Sequence, residues 1–159
     1  MRLRHLTDGD IGELHHLEAE AYLPELHESD AAFLQLIRLF PEGAFGVFDA
    51  GGLCGYAFGA PSRAGTTMAL RVPLESLPAD ADTFYIHDVA VAARCRGQGI
   101  GRLLAAELLA VARARGFTRS ELVSVQGSAP FWRQFGFEPV YEFEYVPGVP
   151  SVKMACTLA

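Results

Sequence analysis

No apolar run in this chain is long enough to span a bilayer. The most apolar stretch, "LLAAELLAVA" at 103–112, is broken by Glu107 and flanked by Arg102 and Arg113. The opening "MRLRHLTDGD" has no signal-peptide core. Cysteine is scarce: Cys54, Cys95 and Cys156 are odd in number and far apart in the chain, which predicts neither a disulfide framework nor a zinc site. Positive charge is also short, and a net charge of −6 argues against a general nucleic-acid binder. These shortages exclude a membrane or nucleic-acid partner and a resident metal, and they make a cytoplasmic location the expectation. The oligomeric state, a homodimer included, stays open. What is present is 159 residues, half of them apolar, enough for one domain over 1–159 with a real core.

The charge is divided unevenly. Residues 1–93 carry −9 and residues 94–159 carry +3. Six of the 13 basic residues fall between Arg94 and Arg119, against one acid, Glu107. A local positive field therefore surrounds that stretch, although charge blocks also occur as plain solvated surface.

Periodicity and punctuation give the elements. "RLRHL" reads as a strand, and "TDGDIGELHHLEAEAY" as a helix capped by Thr7 or Asp8. "SDAAFLQLIRLF" reads as a helix capped by Ser29, with Phe33, Leu36, Ile37 and Phe40 on one face. "AFGVFDAGGLCGYAFGA" is a hairpin pattern, and residues 61–81 read as a long loop with room for some helix. A strand at "TFYIHDVAVA", a helix over 99–115 and a strand at "TRSELVSV" make one βαβ unit, hence a parallel pair. A short helix at "SAPFWRQF" and two closing strands complete an α/β domain with a mixed sheet, about seven strands and about four helices.

The informative stretch is "RCRGQGIGRLL" at 94–104. A glycine-rich turn opening a helix bares backbone N–H groups to an anion. The spacing Gly97-x-Gly99-x-Gly101 is not the dinucleotide pattern, and no acidic residue ends the next strand. Arg102 and Leu103 stand where a P-loop needs Lys and Ser/Thr. The run does fit Arg/Gln-x-x-Gly-x-Gly/Ala at Arg96–Gly101. A merely tight turn is the remaining reading.

That pattern resembles the pyrophosphate-binding motif of the GNAT superfamily of N-acetyltransferases. The resemblance covers nearly the whole chain and includes "APFWRQFGFEPV", similar to the family's Phe-Tyr-x-x-x-Gly-Phe. Within the superfamily the chain looks most like the aralkylamine (serotonin-type) branch. The resemblance implies acetyl-CoA as cosubstrate. Its pyrophosphate would lie on the amides of Gly97, Gln98, Gly99, Ile100 and Gly101, near Arg96 and Arg102. It also implies splayed central parallel strands, with the pantetheine arm pairing along Val89 and Val91 like an added strand.

For the chemistry, His87 is the candidate base, since its pKa suits proton transfer near neutrality. Tyr85 and His87 match the two alternate histidines that the serotonin-type branch uses, with Tyr85 departing from the pattern. Thr83 falls where the histone-acetyltransferase branch has its glutamate. Strand alternation predicts Thr83, Tyr85 and His87 on one face and Asp88 on the other, as an anchor. A purely structural His87 is the competing reading. Trp132 stands where many members carry a tyrosine thought to protonate the leaving thiolate. Indole cannot do that, so Trp132 stacks on the pantetheine, walls the acceptor pocket, or packs beside Phe131 and Phe135. The acid is then Tyr85, Tyr141, Tyr145, water or none, with Ser128 a weak candidate. Cys95 reads as a small filler. His15 and His16 make a poor metal pair. Glu25, Glu28 and Asp30 are candidates to attract an amine, with Tyr22, Leu23 and Phe33 as an apolar wall. The expected function is transfer of acetyl from acetyl-CoA to a small primary amine by direct attack. The alternatives are acetylation of a protein N-terminus or lysine, and a non-catalytic acyl-CoA-binding module.

Overall fold

The computed structural model describes all residues, 1–159. Its strands are β1 (Arg2–His5), β2 (Ala44–Asp49), β3 (Gly52–Ser62), β4 (Thr83–Val91), β5 (Arg119–Val125), β6 (Glu138–Glu144) and β7 (Pro150–Thr157). The helices are α1 (Ile11–Ala21), α2 (Asp30–Leu39), α3 (Ile100–Ala114) and α4 (Ala129–Arg133). The seven strands form one sheet in the order β1-β2-β3-β4-β5-β7-β6. Every neighbouring pair is antiparallel except β4 with β5, as the βαβ spacing predicts.

Local chemistry explains the helix ends. The Asp10 carboxylate accepts the Thr7 amide at 2.7 Å, so the first helix begins with a single 3-10 turn over Asp8–Asp10 before α1. Ser29 Oγ accepts the Ala32 amide at 3.2 Å and caps α2. Gly116, at φ +85°, stops α3.

The two helix layers sandwich the sheet. Ile100, Leu104 and Leu108 of α3 press on β3 at Gly55 and Gly59. On the opposite face Phe33 of α2 stacks on Phe58 at 5.0 Å and meets Tyr56 edge-on at 6.0 Å. Burying a side chain such as Leu104 or Phe33 is worth roughly 1.5–3 kcal/mol each, so α2 and α3 are held by packing more than by propensity. Residues 63–82 carry no helix and run as turns and irregular chain.

Two features of the sheet position the site. β4 and β5 pair only over Phe84–Ile86 with Ser120–Leu122, and beyond that point they separate. Residues 87–91 therefore have no strand partner on the β5 side. The second feature corrects the alternation expected for β4. The β3–β4 register slips between Phe58↔Asp88 and Gly59↔Ile86, so His87 is the extra residue of a bulge. The bulge turns His87 and Asp88 to the same face, that of α1 and α2, where Asp88 had been expected opposite.

Candidate functional site

Where β4 leaves β5 a cleft of about 260 Å³ opens. Its walls include Val89 and Val91 on one side, Val123 and Val125 on the other, and Phe131 and Trp132 of α4 at the end. The Gly97–Gly101 loop lies at its mouth. Gly97 and Gly99 both sit at φ +79°, the left-handed region that a side chain disfavours. Gly101 has ordinary backbone angles, and a Cβ placed there would lie 3.6 Å from Phe131 and Val91. The amides of residues 97–102 donate to no backbone acceptor, and the first closed helical bond runs from the Leu103 amide to the Gly99 carbonyl. The loop thus presents a row of free donors at the positive end of a 15-residue helix. Arg96 and Arg102 are exposed beside it, with Arg102 bonded to Gln134. Arg94 is turned away in a two-bond pair with Asp49, at 2.8 and 2.9 Å.

A second cavity, about 40 Å³, adjoins the cleft. The two share Tyr22, His87, Asp88, Val123 and Val125, and the smaller one is closed by Leu26, Leu70, Tyr85 and Tyr145. Its roof is the 63–74 segment, which is tied down from below. The Tyr145 hydroxyl bonds the Met68 carbonyl. The Lys153 ammonium donates to the Thr66 carbonyl at 2.9 Å and pairs with Glu121 at 3.1 Å, both side chains buried. Glu121 also accepts the Gly65 amide at 3.0 Å and the Arg119 guanidinium at 2.7 Å. Burial alone would raise the Glu121 pKa, but these donors hold it below the carboxylate norm.

His87 stands at the junction of the two spaces. Its Nε2 meets Glu28 Oε2 at 2.7 Å, with side chains 4% and 2% exposed. Glu28 Oε1 accepts the amides of Ser29 and Arg71, so this carboxylate joins the α2 cap and the 63–74 roof to the imidazole. Burial would lower the His87 pKa, but the Glu28 bond and charge, with Asp88 and Glu18, raise it above 6.5. Burial pushes Glu28 up, and the His87 bond and charge together with the Arg71 and Ser29 amides more than reverse it. His87 Nδ1 is buried and has no partner. Neighbouring Asp88 accepts the Tyr56 hydroxyl on Oδ2 at 2.8 Å, its Oδ1 is likewise unpartnered, and burial lifts its pKa to about 6.

The other candidates sort clearly. Tyr85 is buried and lines the small cavity, its phenol pKa raised by burial. Tyr145 lines the same cavity, while Tyr141 is 47% exposed on β6, away from both spaces. Trp132 is 7% exposed and packs edge-on against Phe131 and Phe137 while walling the cleft, so packing and lining coincide. The Val89 carbonyl is taken by the Tyr22 hydroxyl at 2.9 Å. Ser128 Oγ bonds Ser124 and the Val125 carbonyl, both at 2.8 Å. Of the expected amine-attracting acids, Glu28 serves His87 and Asp30 pairs with His15, and of the expected apolar wall Phe33 lies in the core. Tyr22 does reach the cavity. Two of the cysteines, distant in sequence, are neighbours in the fold. The Cys54 carbonyl accepts the Ala92 amide at 2.7 Å, which brings Cys54 and Cys95 together with Asp49 so that their ligand atoms lie within 4.8 Å. Both thiols are buried, and burial pushes Cys54 up to about 12, the pKa of an unreactive filler.

Similar architectures occur in solved structures. Ard1 from Thermoplasma volcanium superposes with a TM-score of 0.77 at 19% identity, covering 99% of this chain and 97% of that one. The loading GNATL domain of CurA from Lyngbya majuscula gives 0.81 at 14% identity, with 99% and 97% coverage. The ribosomal-protein-S18-alanine N-acetyltransferase from Escherichia coli gives 0.72 at 18% identity, with 99% and 94% coverage. A comparison with curated protein sequences finds no match. At these identities the structures establish the fold alone. The model of the acetyltransferase (GNAT) family matches residues 11–137, which takes in the glycine loop, both cavities' strands and α4, and on that match the chain belongs to the GNAT family of acetyltransferases.

Proposed function

We propose that this acetyl-CoA-dependent N-acetyltransferase acts on a small primary amine, by direct attack within a ternary complex. The observation that carries the reading is the His87–Glu28 pair at the fork of β4 and β5. Its unpartnered Nδ1 belongs to a residue lining both the cleft and the small roofed cavity. The cleft receives the pantetheine arm and the free amides of residues 97–102 the pyrophosphate. Val89 and Val91 lend the unpaired edge of β4, although Tyr22 already occupies the Val89 carbonyl.

The chemistry follows from the layout. An alkylamine arrives protonated, with a pKa near ~10. His87 Nδ1 takes the proton, while Nε2–H donates to Glu28, which fixes the tautomer and stabilises the imidazolium. The nitrogen lone pair attacks the thioester carbonyl. The tetrahedral oxyanion accepts a backbone N–H of the splayed strand. The C–S bond then breaks as the nitrogen sheds its second proton, which passes through water to the departing sulfur, giving the amide and free CoA thiol; a thiol pKa of about 8.5 makes the thiolate a fair leaving group without a protein acid. Trp132 walls the cleft, and Tyr85 orients water or the imidazole.

The small roofed cavity supports a small acceptor over a folded protein surface. The structures of similar fold include the ribosomal-protein-S18-alanine N-acetyltransferase, a NatC complex bound to a Gag peptide, and GphF, a GNAT-like decarboxylase. The test therefore has matched arms. Aralkylamines, polyamines, N-terminal peptides and malonyl-CoA alone are offered, and free thiol, acetylated product and carbon dioxide are followed. Acetylation of one or more small amines with a kcat/KM well above that for any peptide is expected. Turnover confined to peptides, carbon dioxide release, or CoA binding without turnover would each overturn the reading.

A further inference from the structure

We propose that Asp88 is the carboxylate of an ammonium-binding site in the acceptor cavity, so that the acceptor is recognised as a cation before it loses its proton to His87. This rests on the amine-acetylation reading above and names the group that selects its substrate.

Two buried side-chain polar atoms lack a hydrogen-bond partner in the whole chain, His87 Nδ1 and Asp88 Oδ1. They belong to consecutive residues, which an ordinary strand would send to opposite faces. The bulge at His87 places both on the α1–α2 face, and both residues line the cleft and the small cavity. A buried carboxylate oxygen without a donor is costly, and such an oxygen in a native fold calls for an absent partner. The other oxygen is already committed to the Tyr56 hydroxyl at 2.8 Å, and the Tyr22 hydroxyl beside the carboxylate donates to the Val89 carbonyl at 2.9 Å, so Oδ1 is the one left for a ligand.

The missing partner must be a donor, and preferably a cation. His87 leans on Glu28 instead, through Nε2. No Lys or Arg lines the small cavity. A primary ammonium supplies what is absent: one N–H for Asp88 Oδ1 and another for His87 Nδ1, with positive charge against an unneutralised carboxylate. Tyr22 and Tyr145 line the cavity as further aromatic surface for a cation, while the Tyr85 ring already carries the Lys153 ammonium at 5.1 Å. At about 40 Å³ the cavity takes roughly three water-sized probes, enough for an ammonium head and its first methylene. The ligand class is thus an unbranched primary ammonium with an apolar tail. Burial lifts the Asp88 pKa to about 6, which agrees with a carboxylate waiting for a positive partner.

The experiment compares two shapes that differ in charge. CoA-saturated protein is titrated calorimetrically with phenethylamine, cationic at neutral pH, and with 2-phenylethanol, its neutral counterpart. Wild type should bind the amine about 10- to 100-fold more tightly, the size of a hydrogen bond to a charged partner. Asp88→Asn, which keeps the shape and an acceptor for Tyr56, should erase that preference while CoA affinity stays unchanged. In turnover it should raise the KM for the amine and leave the KM for acetyl-CoA alone. Tyr56→Phe should keep the preference, because it removes only the structural bond. If Asp88→Asn fails to fold, Asp88→Leu combined with Tyr56→Phe replaces the buried polar pair by apolar groups, and it should also lose the preference. Equal binding of both probes by wild type, binding of neither, or a preference that survives in a folded Asp88 variant would each overturn the site. Amine binding without acetylation would instead sink the functional reading and leave Asp88 standing.

Discussion

At the scale of single residues, the His87–Glu28 pair turns a routine strand histidine into a group with a testable titration. Because its pKa is raised above 6.5, the acidic limb of the rate profile should lie above that value. His87→Gln should lower kcat about 10²- to 10⁴-fold and remove the limb, with acetyl-CoA binding retained. Glu28→Gln keeps a bond to Nε2 but removes the charge, so the limb should shift to lower pH. The signs for stability are opposite within the pair. The raised His87 pKa contributes stability that is complete below about 6.5 and is lost as pH rises through its folded value. The lowered Glu28 pKa contributes stability present above about 4.5 and lost as pH falls through its folded value. The pair is therefore worth most between those limits. A limb that stays in place in Glu28→Gln, measured beside the melting temperature, would show that the two residues are not coupled in catalysis.

At the scale of elements, the proposed pyrophosphate site is the glycine loop together with the start of α3, and the backbone angles choose the variant that tests it. Asp at Gly99 would need φ near +79°, a strained position that costs folding as well as binding. Asp at Gly101 meets only ordinary contacts at 3.6 Å, so it adds a negative charge at the helix start with little strain. Acetyl-CoA and CoA should raise the melting temperature of wild type by mass action, and Gly101→Asp should abolish the rise in a protein that melts near the wild-type temperature. An undiminished shift would place the cofactor elsewhere. Elements were legible in the sequence because each rests on a local pattern: the Ser29 cap, the apolar face Phe33–Phe40, the turn at 49–52, the helix stop at Gly116. The glycine motif was legible for the same reason. What stayed hidden needed a third dimension. The slip between Phe58 and Gly59 is a property of two strands and leaves no mark in β4 alone, so Asp88 read as facing away. Glu28 read as one of three acids that could attract an amine, since 59 residues of chain separate it from the histidine it holds. The buried Lys153–Glu121 tie under the 63–74 roof had no local signature either.

At the scale of the whole molecule, the uneven charge acquires a spatial meaning. The segment with six basic residues between Arg94 and Arg119 builds the loop, α3 and its flanks, where an anionic cosubstrate would dock. The acidic first part of the chain supplies Glu28 and Asp88, around the space meant for a cation. The sheet brings both together at the one place where parallel strands part. On the proposed reading the two substrates would be drawn by fields of opposite sign, but in different surroundings. Arg96 and the loop amides are exposed, so their pull on the phosphates is screened by salt. The free oxygen of Asp88 is shut off from water, and its pull on an ammonium is screened much less. Raising the salt from about 0.05 M to about 0.5 M should therefore raise the KM for acetyl-CoA roughly three- to tenfold and change the KM for the amine by less than about twofold. Steady-state kinetics with each substrate varied in turn reads both numbers from one preparation. Equal salt sensitivity of the two would mean that the ammonium is met at an exposed acidic surface and not at Asp88, and a flat response to acetyl-CoA would remove the basic segment from cofactor capture.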